Sequence, residues 1–216
     1  MTPSVDALLP LSLLHAVRSV DTPDDDVEAE YTLDLRNKRL GLSDTVYAQI
    51  RRYTEASKKS ERTGTAEAVA LAKLIGRRPD AEEVFREAGQ HLAREAYRTI
   101  PIVTRKLIRA MPNLIARPVA FRRARRIAKR YLNGGMRRSG SSVFLVVPQP
   151  VMLEDGIGAR GCVFYESVLR ELLHQLVLAS GGVEHVRCAS RGEGECEWKA
   201  EWGETEREPA NGKRET

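Results

Sequence analysis

Long apolar runs are missing from this chain. No stretch approaches the ~20 residues that a membrane-spanning helix requires, so no transmembrane segment is expected. Ala7–Val17 is apolar but short, follows Asp6 and has no basic flank, so it does not read as a secretory signal. A cytoplasmic location is the expectation. Cysteine is scarce, with three among 216 residues. An odd count in a reducing compartment points to metal binding, catalysis or packing rather than a disulfide framework. Catalytic signatures are also missing. Gly156, Gly158 and Gly161 spell a GxGxxG, but the strand and helix context is poor and no ribose-binding acid follows. Ser139–Ser142 lies in a Gly/Ser loop with no His or Asp partner to activate a nucleophile. What is present is 42% hydrophobic and 30% charged residues, the composition of a globular chain. At roughly 100–200 residues per domain, this length gives one domain with loose ends.

Acid is absent from the middle of the sequence. Residues 96–153 hold thirteen Arg or Lys and no Asp or Glu, whereas residues 1–40 and 193–216 each hold eight acids against four bases. A basic block of this size implies an anionic partner such as nucleic acid, lipid or an acidic protein surface, or else acidic ends folded over the basic face. Its densest part is the helix expected within 117–138. There Ala120, Ala124, Ile127, Ala128 and Tyr131 share one face, and Arg122, Arg123, Arg125, Arg126, Lys129 and Arg130 cover the rest. These six are the candidate anion-binding residues. The alternative is a solvated helix face. With only Phe121 and Tyr131 interleaved, base stacking on single-stranded nucleic acid has little support.

Hydrophobic spacing gives the elements. Residues 21–30 read as a linker, and Tyr31, Leu33 and Leu35 alternate as in a short strand. Ser43 or Asp44 caps a helix carrying Val46, Tyr47, Ile50 and Tyr53. Residues 57–64 read as a loop, and Thr65 caps a helix ending at Gly76. Asp80 and Glu83 form a capping box for a helix with Val84, Phe85, Ala88, Leu92 and Ala96 on its apolar stripe. Pro101 starts a short helix, Pro112 ends it, and Pro118 starts the basic one. Val143–Leu153 reads as a strand put at a sheet edge, or broken, by Pro148 and Pro150. Residues 162–179 form the most apolar helix, and Val183–Cys188 and Glu195–Trp202 form a terminal hairpin. The order gives an α+β fold, with N-terminal helices packed on a small, mostly antiparallel sheet that ends in the C-terminal β-hairpin. The expected divisions are a partly ordered acidic segment over 1–40, a ligand-binding domain over 41–203 and a disordered tail over 204–216. His91 lies on the helix with Phe85 and Leu92, without a visible partner set. His15 and His174 carry no assignment.

One constellation has metal-ligand chemistry: Cys162-x22-His185-x2-Cys188-x7-Cys196. Three thiolates and an imidazole suit tetrahedral Zn2+. The hairpin brings Cys188 and Cys196 together, and Cys162 stands at the start of the helix that feeds it. In a flat strand Glu184, not His185, shares a face with Cys188, and a bulge reverses that preference. Either residue can therefore be the fourth ligand. Four protein ligands leave no open position, which marks a structural or regulatory metal. The alternative is three packed thiols.

The segment Gly182–Trp202, with Cys188, Gly192, Gly194, Cys196 and Trp198, resembles the C-terminal hairpin of the 4-vinyl-reductase domain superfamily. That group includes hydrocarbon-binding proteins and aromatic-sensing domains, and it is similar to the lipid-binding subunits of the TRAPP vesicle-tethering complex. The resemblance covers roughly residues 40–203, with its specific motif in the last twenty or so. It implies an α+β domain, often a homodimer, with an apolar cavity for a hydrophobic small molecule. In the aromatic-sensing branch, zinc is held by cysteines and a glutamate. Cys162, Cys188 and Cys196 match, and His185 stands at the glutamate's place with Glu184 one position off. A non-enzymatic hydrophobic-ligand-binding domain is therefore the leading expectation, with Phe85, Leu92, Val168 and Leu172 as candidate pocket walls. The others are an adaptor for anionic partners and, by family analogy alone, a tetrapyrrole-related enzyme.

Overall fold

The computed structural model describes residues 3–22, 40–153, 157–177 and 181–201. The strand expected at Tyr31–Leu35, most of the 21–30 linker, the Trp202 end of the last strand and the 204–216 tail lie outside the described residues. Seven α-helices and six strands are described: β1 (Ser4–Asp6), α1 (Leu8–Asp21), α2 (Asp44–Lys58), β2 (Arg62–Gly64), α3 (Thr65–Gly76), α4 (Ala81–Arg98), α5 (Ile102–Ala110), α6 (Asn113–Tyr131), β3 (Gly135–Ser139), β4 (Ser142–Val147), α7 (Cys162–Val177), β5 (Val183–Arg187) and β6 (Cys196–Glu201). The fold is α+β. N-terminal helices pack against a four-stranded antiparallel sheet of order β3-β4-β6-β5, and β1 and β2 form a separate antiparallel pair.

Helices α4 and α7 form the centre. The stripe Val84, Phe85, Ala88, Leu92 and Ala96 of α4 is wholly buried, as are Val168, Leu169, Leu172, Leu173 and Leu176 of α7, and the two helices pack together. Their closest approach is at Gly89. A methyl group there would collide with the Phe164 carbonyl and come within 2.9 Å of Ser167 Cβ. Only glycine lets the two backbones meet this closely. The apolar N-terminal stretch becomes α1, whose Leu8, Leu9, Leu11, Leu13 and Leu14 are buried, and α1 packs on the other side of α4.

Several local expectations give way to tertiary demands. Arg62–Gly64, expected as loop, pairs with Ser4–Asp6, because the chain start supplies an edge that the local pattern could not reveal. Ser43 does cap α2, accepting from Val46 N at 3.3 Å. Asp80 makes no cap bond, because Arg78 takes its carboxylate at 2.8 and 2.7 Å while also holding Asp21. Gly64, not Thr65, occupies the cap of α3, and the Thr65 hydroxyl is buried without a partner. Pro118 does not open the basic helix but sits inside it, because α6 starts at Asn113 behind Pro112. Strand β4 is central rather than at an edge, because β3, most of which the sequence pattern counts within the basic stretch 117–138, pairs along its outer side. Pro148 and Pro150 fall just beyond it, where no ladder bond is lost.

A candidate metal centre at the terminal hairpin

The sheet's inner face carries Val143, Leu145, Val147, Cys196, Trp198 and Ala200, all buried. Register places Val147 opposite Cys196 and Leu145 opposite Trp198. Alternation therefore aims Cys196 inward, as the sequence pattern requires. Helix α7 crosses this face, and its Tyr165 ring stacks on Trp198 at 5.0 Å. That packing brings the first residue of α7, Cys162, over the hairpin end. Gly161 permits it, since any Cβ there would run into the Met152 carbonyl.

The other two positions are set by a bulge and a turn. His185 pairs with Trp198 but Arg187 pairs with Glu197, so the register shifts between His185 and Arg187. Val186 is thrown outward, 40% exposed. The shift brings His185 to the inner face, its ring 4.7 Å from Trp198 and nearly parallel to it. Glu184, the other candidate ligand, lies opposite Lys199, is exposed and is not in the cluster. Beyond β5, Gly192 and Gly194 adopt φ of 82° and 84°, which a side chain disfavours, and return the chain to Cys196. Glu193 holds this turn by accepting from Cys188 N at 2.5 Å.

Cys162, His185, Cys188 and Cys196 thus present one ligand atom each, all within 4.8 Å of one another. Cys162 Sγ and Cys188 Sγ are 3.7 Å apart. That excludes a disulfide, whose sulfurs are about 2.05 Å apart. It matches a tetrahedral zinc, where bonds of about 2.3 Å put two sulfurs about 3.8 Å apart. Two further features fit a cation. His185 Nε2 is buried with no hydrogen-bond partner, and burial, then Arg191, lowers the ring's pKa. A neutral imidazole with an unused nitrogen is the form that binds metal. Burial raises the Cys162 thiol, with the neighbouring sulfurs adding to it, and burial raises the Cys196 thiol against the opposing bond from the Ala189 amide. At Cys188 burial works upward too, but bonds from Ser190 and the other thiols outweigh it and lower the pKa. Ala189 N donates to Cys196 Sγ at 3.2 Å and Ser190 Oγ lies 2.9 Å from Cys188 Sγ, so polar groups already support thiolate charge. The set is a candidate structural Zn2+ site, joining the start of α7 to both ends of the hairpin turn.

The remaining sequence candidates lie apart from this cluster. Phe85, Leu92, Val168 and Leu172 are buried at the α4–α7 contact, each no more than 2% exposed. A cleft of about 570 Å³ lies elsewhere, open beside α2 and β2, lined by Arg51, Arg52, Tyr53 and Arg62 among others. On α6, Arg122, Arg125, Arg126 and Lys129 are exposed and Arg123 is half-exposed. Among the described residues, two cations of the basic block meet buried carboxylates. Arg130 pairs with buried Asp6 at 3.0 Å, and Arg137 with buried Glu197 at 2.5 Å. No protein-family model matches the chain, and no curated protein matches it.

One pair was hidden from sequence reading. His91 stacks on His15 at 4.6 Å, and His91 Nδ1 lies 3.2 Å from Ser12 Oγ. This is not a catalytic dyad: Ser12 is fully buried and donates to Leu8 O at 2.8 Å. Burial, followed by His15 and nearby arginines, lowers the His91 pKa to about 4, and burial followed by Arg18 lowers that of His15. The folded state therefore holds a neutral imidazole that the unfolded chain protonates below about 6.5. Stability is full above that pH and drains away as pH falls toward about 4. Discounted for partial exposure, the loss is about 2 kcal/mol. Urea unfolding of wild type and His91→Gln across this range is the check. The difference between them shrinks by that amount on acidification, and a constant difference would disprove it.

Proposed function

We propose that the chain is a non-enzymatic binding domain for a hydrophobic small molecule, of the 4-vinyl-reductase type, with a structural zinc clamping its terminal hairpin. One observation carries this reading: three cysteines and an imidazole converge where the last β-turn meets the central helix, with Cys162, Cys188 and Cys196 at the positions that the resemblance assigns to metal. His185 replaces that family's glutamate, and either donor serves zinc.

The ligand's place is the α4–α7 seam, walled by Phe85, Leu92, Val168 and Leu172. Ser167, beside Val168, keeps its buried hydroxyl without a partner and faces Gly89 across the seam. It can bond a polar group on an otherwise apolar guest. Entry requires the helices to part at Gly89, so binding and movement of α7 are linked, and α7 begins at the metal. That linkage is what a sensor needs. The homodimer that the resemblance implies belongs to the same proposal.

Mass spectrometry of solvent extracts of the purified, metal-loaded protein tests this. An apolar compound is expected in the extract of the folded wild-type protein. Extracts without any such compound from folded, zinc-replete protein would reject the ligand reading while leaving the metal site standing.

A further inference from the structure

Most helices of this molecule turn their aliphatic side chains inward, but one stretch does the opposite. Of eight large hydrophobic residues exposed among the described residues, five fall between 102 and 115: Ile102 at 61%, Val103 at 77%, Leu107 at 51%, Leu114 at 87% and Ile115 at 53%. Helix α5 faces the protein through buried Ile108 and through Arg105, whose guanidinium lies 5.2 Å from the Tyr97 ring. Its outer face therefore holds Ile102, Val103 and Leu107 beside exposed Lys106 and Arg109. After the Met111–Pro112 corner, the first turn of α6 exposes Leu114 and Ile115. The same exposed side of α6 continues through Arg122, Arg125, Arg126 and Lys129, none of which meets an acidic side chain among the described residues.

We propose that the α5–α6 corner docks on an anionic lipid bilayer, with the five aliphatic side chains entering the interface and the α6 cations lying on the headgroup phosphates. Charge complementarity selects this occupant. The surface is apolar at one end and purely basic along the other, and residues 96–153 contain no carboxylate to repel a lipid phosphate. Aliphatic side chains combined with Lys and Arg are what an interfacial helix uses, each part too weak to hold alone. Duplex nucleic acid would satisfy the cations but leave the aliphatic residues in water. A second copy of the chain would bury the aliphatic residues but set one basic rim against another. No helix among the described residues is long and apolar enough to cross a membrane, so the attachment is peripheral.

Cosedimentation of the full chain with vesicles tests this, comparing pure phosphatidylcholine with a mixture containing about 30% phosphatidylserine. Binding is expected to the mixture alone, and to weaken at least tenfold between about 0.1 M and about 0.5 M salt. The triple variant Arg122→Glu, Arg125→Glu, Arg126→Glu is expected to weaken binding about a hundredfold or more, since each surface cation contributes roughly fivefold. Val103→Ser, Leu107→Ser, Leu114→Ser is expected to weaken it about tenfold or more while leaving the thermal midpoint unchanged, because these residues are exposed. Leu114→Trp gives a readout that depends on no loss: its fluorescence shifts to the blue on the mixed vesicles. Several results would overturn the proposal. They are binding to neither vesicle, equal binding to both, wild-type binding by the serine variant with duplex DNA binding also intact, or conversion of a dimer to a monomer by that variant.

Discussion

Replacing Cys196 with serine is expected to strip the protein of its metal and lower its apparent stability by about 4 kcal/mol. That is the contribution of a ligand held at about a thousand times its dissociation constant. For a chain of this length it corresponds to a fall of roughly 10–15 °C in the thermal midpoint. The substitution removes one sulfur at a fully buried position and changes the volume little, so packing alone does not produce the loss. A strong chelator should lower the wild-type midpoint by the same amount and leave Cys196→Ser where it was. Cys188→Ser should behave alike. If the variants lose stability while the chelator does nothing, the thiols are packing groups and no metal is held. Elemental analysis of the same samples should show one zinc per wild-type chain and none in the variants.

The second large effect belongs to Trp198. Its side chain is fully buried, between the rings of Tyr165 and His185. Trp198→Ala is expected to cost about 3–5 kcal/mol in denaturant unfolding, as large aromatic truncations in a packed core do. It should also weaken zinc binding about 10–100-fold, because the His185 ring loses the surface that orients it. Trp198→Phe should recover most of the metal affinity and only part of the stability. Loss of stability with unchanged affinity would show that the stack plays no part in positioning the imidazole.

The metal ligands were legible because thiols and imidazoles are rare in this chain and the hairpin gives them a period. Alternation alone put Cys196 and Trp198 on the inner face, and Cys162 at the head of the most apolar helix pointed to the same corner. The choice between His185 and Glu184 was not legible, since it turns on a bulge at Val186 that no local propensity marks. The central helix pair was legible from its apolar stripes, but the tightness of its contact depends on Gly89, one glycine in the middle of a good helix. Proline and capping signals divided: Pro101 and Pro112 bracket α5 and Ser43 caps α2, whereas Pro118 sits inside α6. Asp80 carries a good cap signature, yet it serves Arg78, which joins it to Asp21 from far along the chain. Strand β3, with glycine and two arginines, has no strand signature and exists because β4 offers it an edge. The exposed aliphatic corner at 102–115 has the same spacing as a buried helix, and only its surroundings show that nothing among the described residues covers it.

X-ray absorption at the zinc edge of protein loaded with one equivalent of zinc examines the shared site directly. The expected first shell is three sulfurs at about 2.3 Å and one nitrogen at about 2.0–2.1 Å. A shell of oxygen and nitrogen without sulfur, or a chain that takes up no zinc while all three thiols remain free to react, would contradict it.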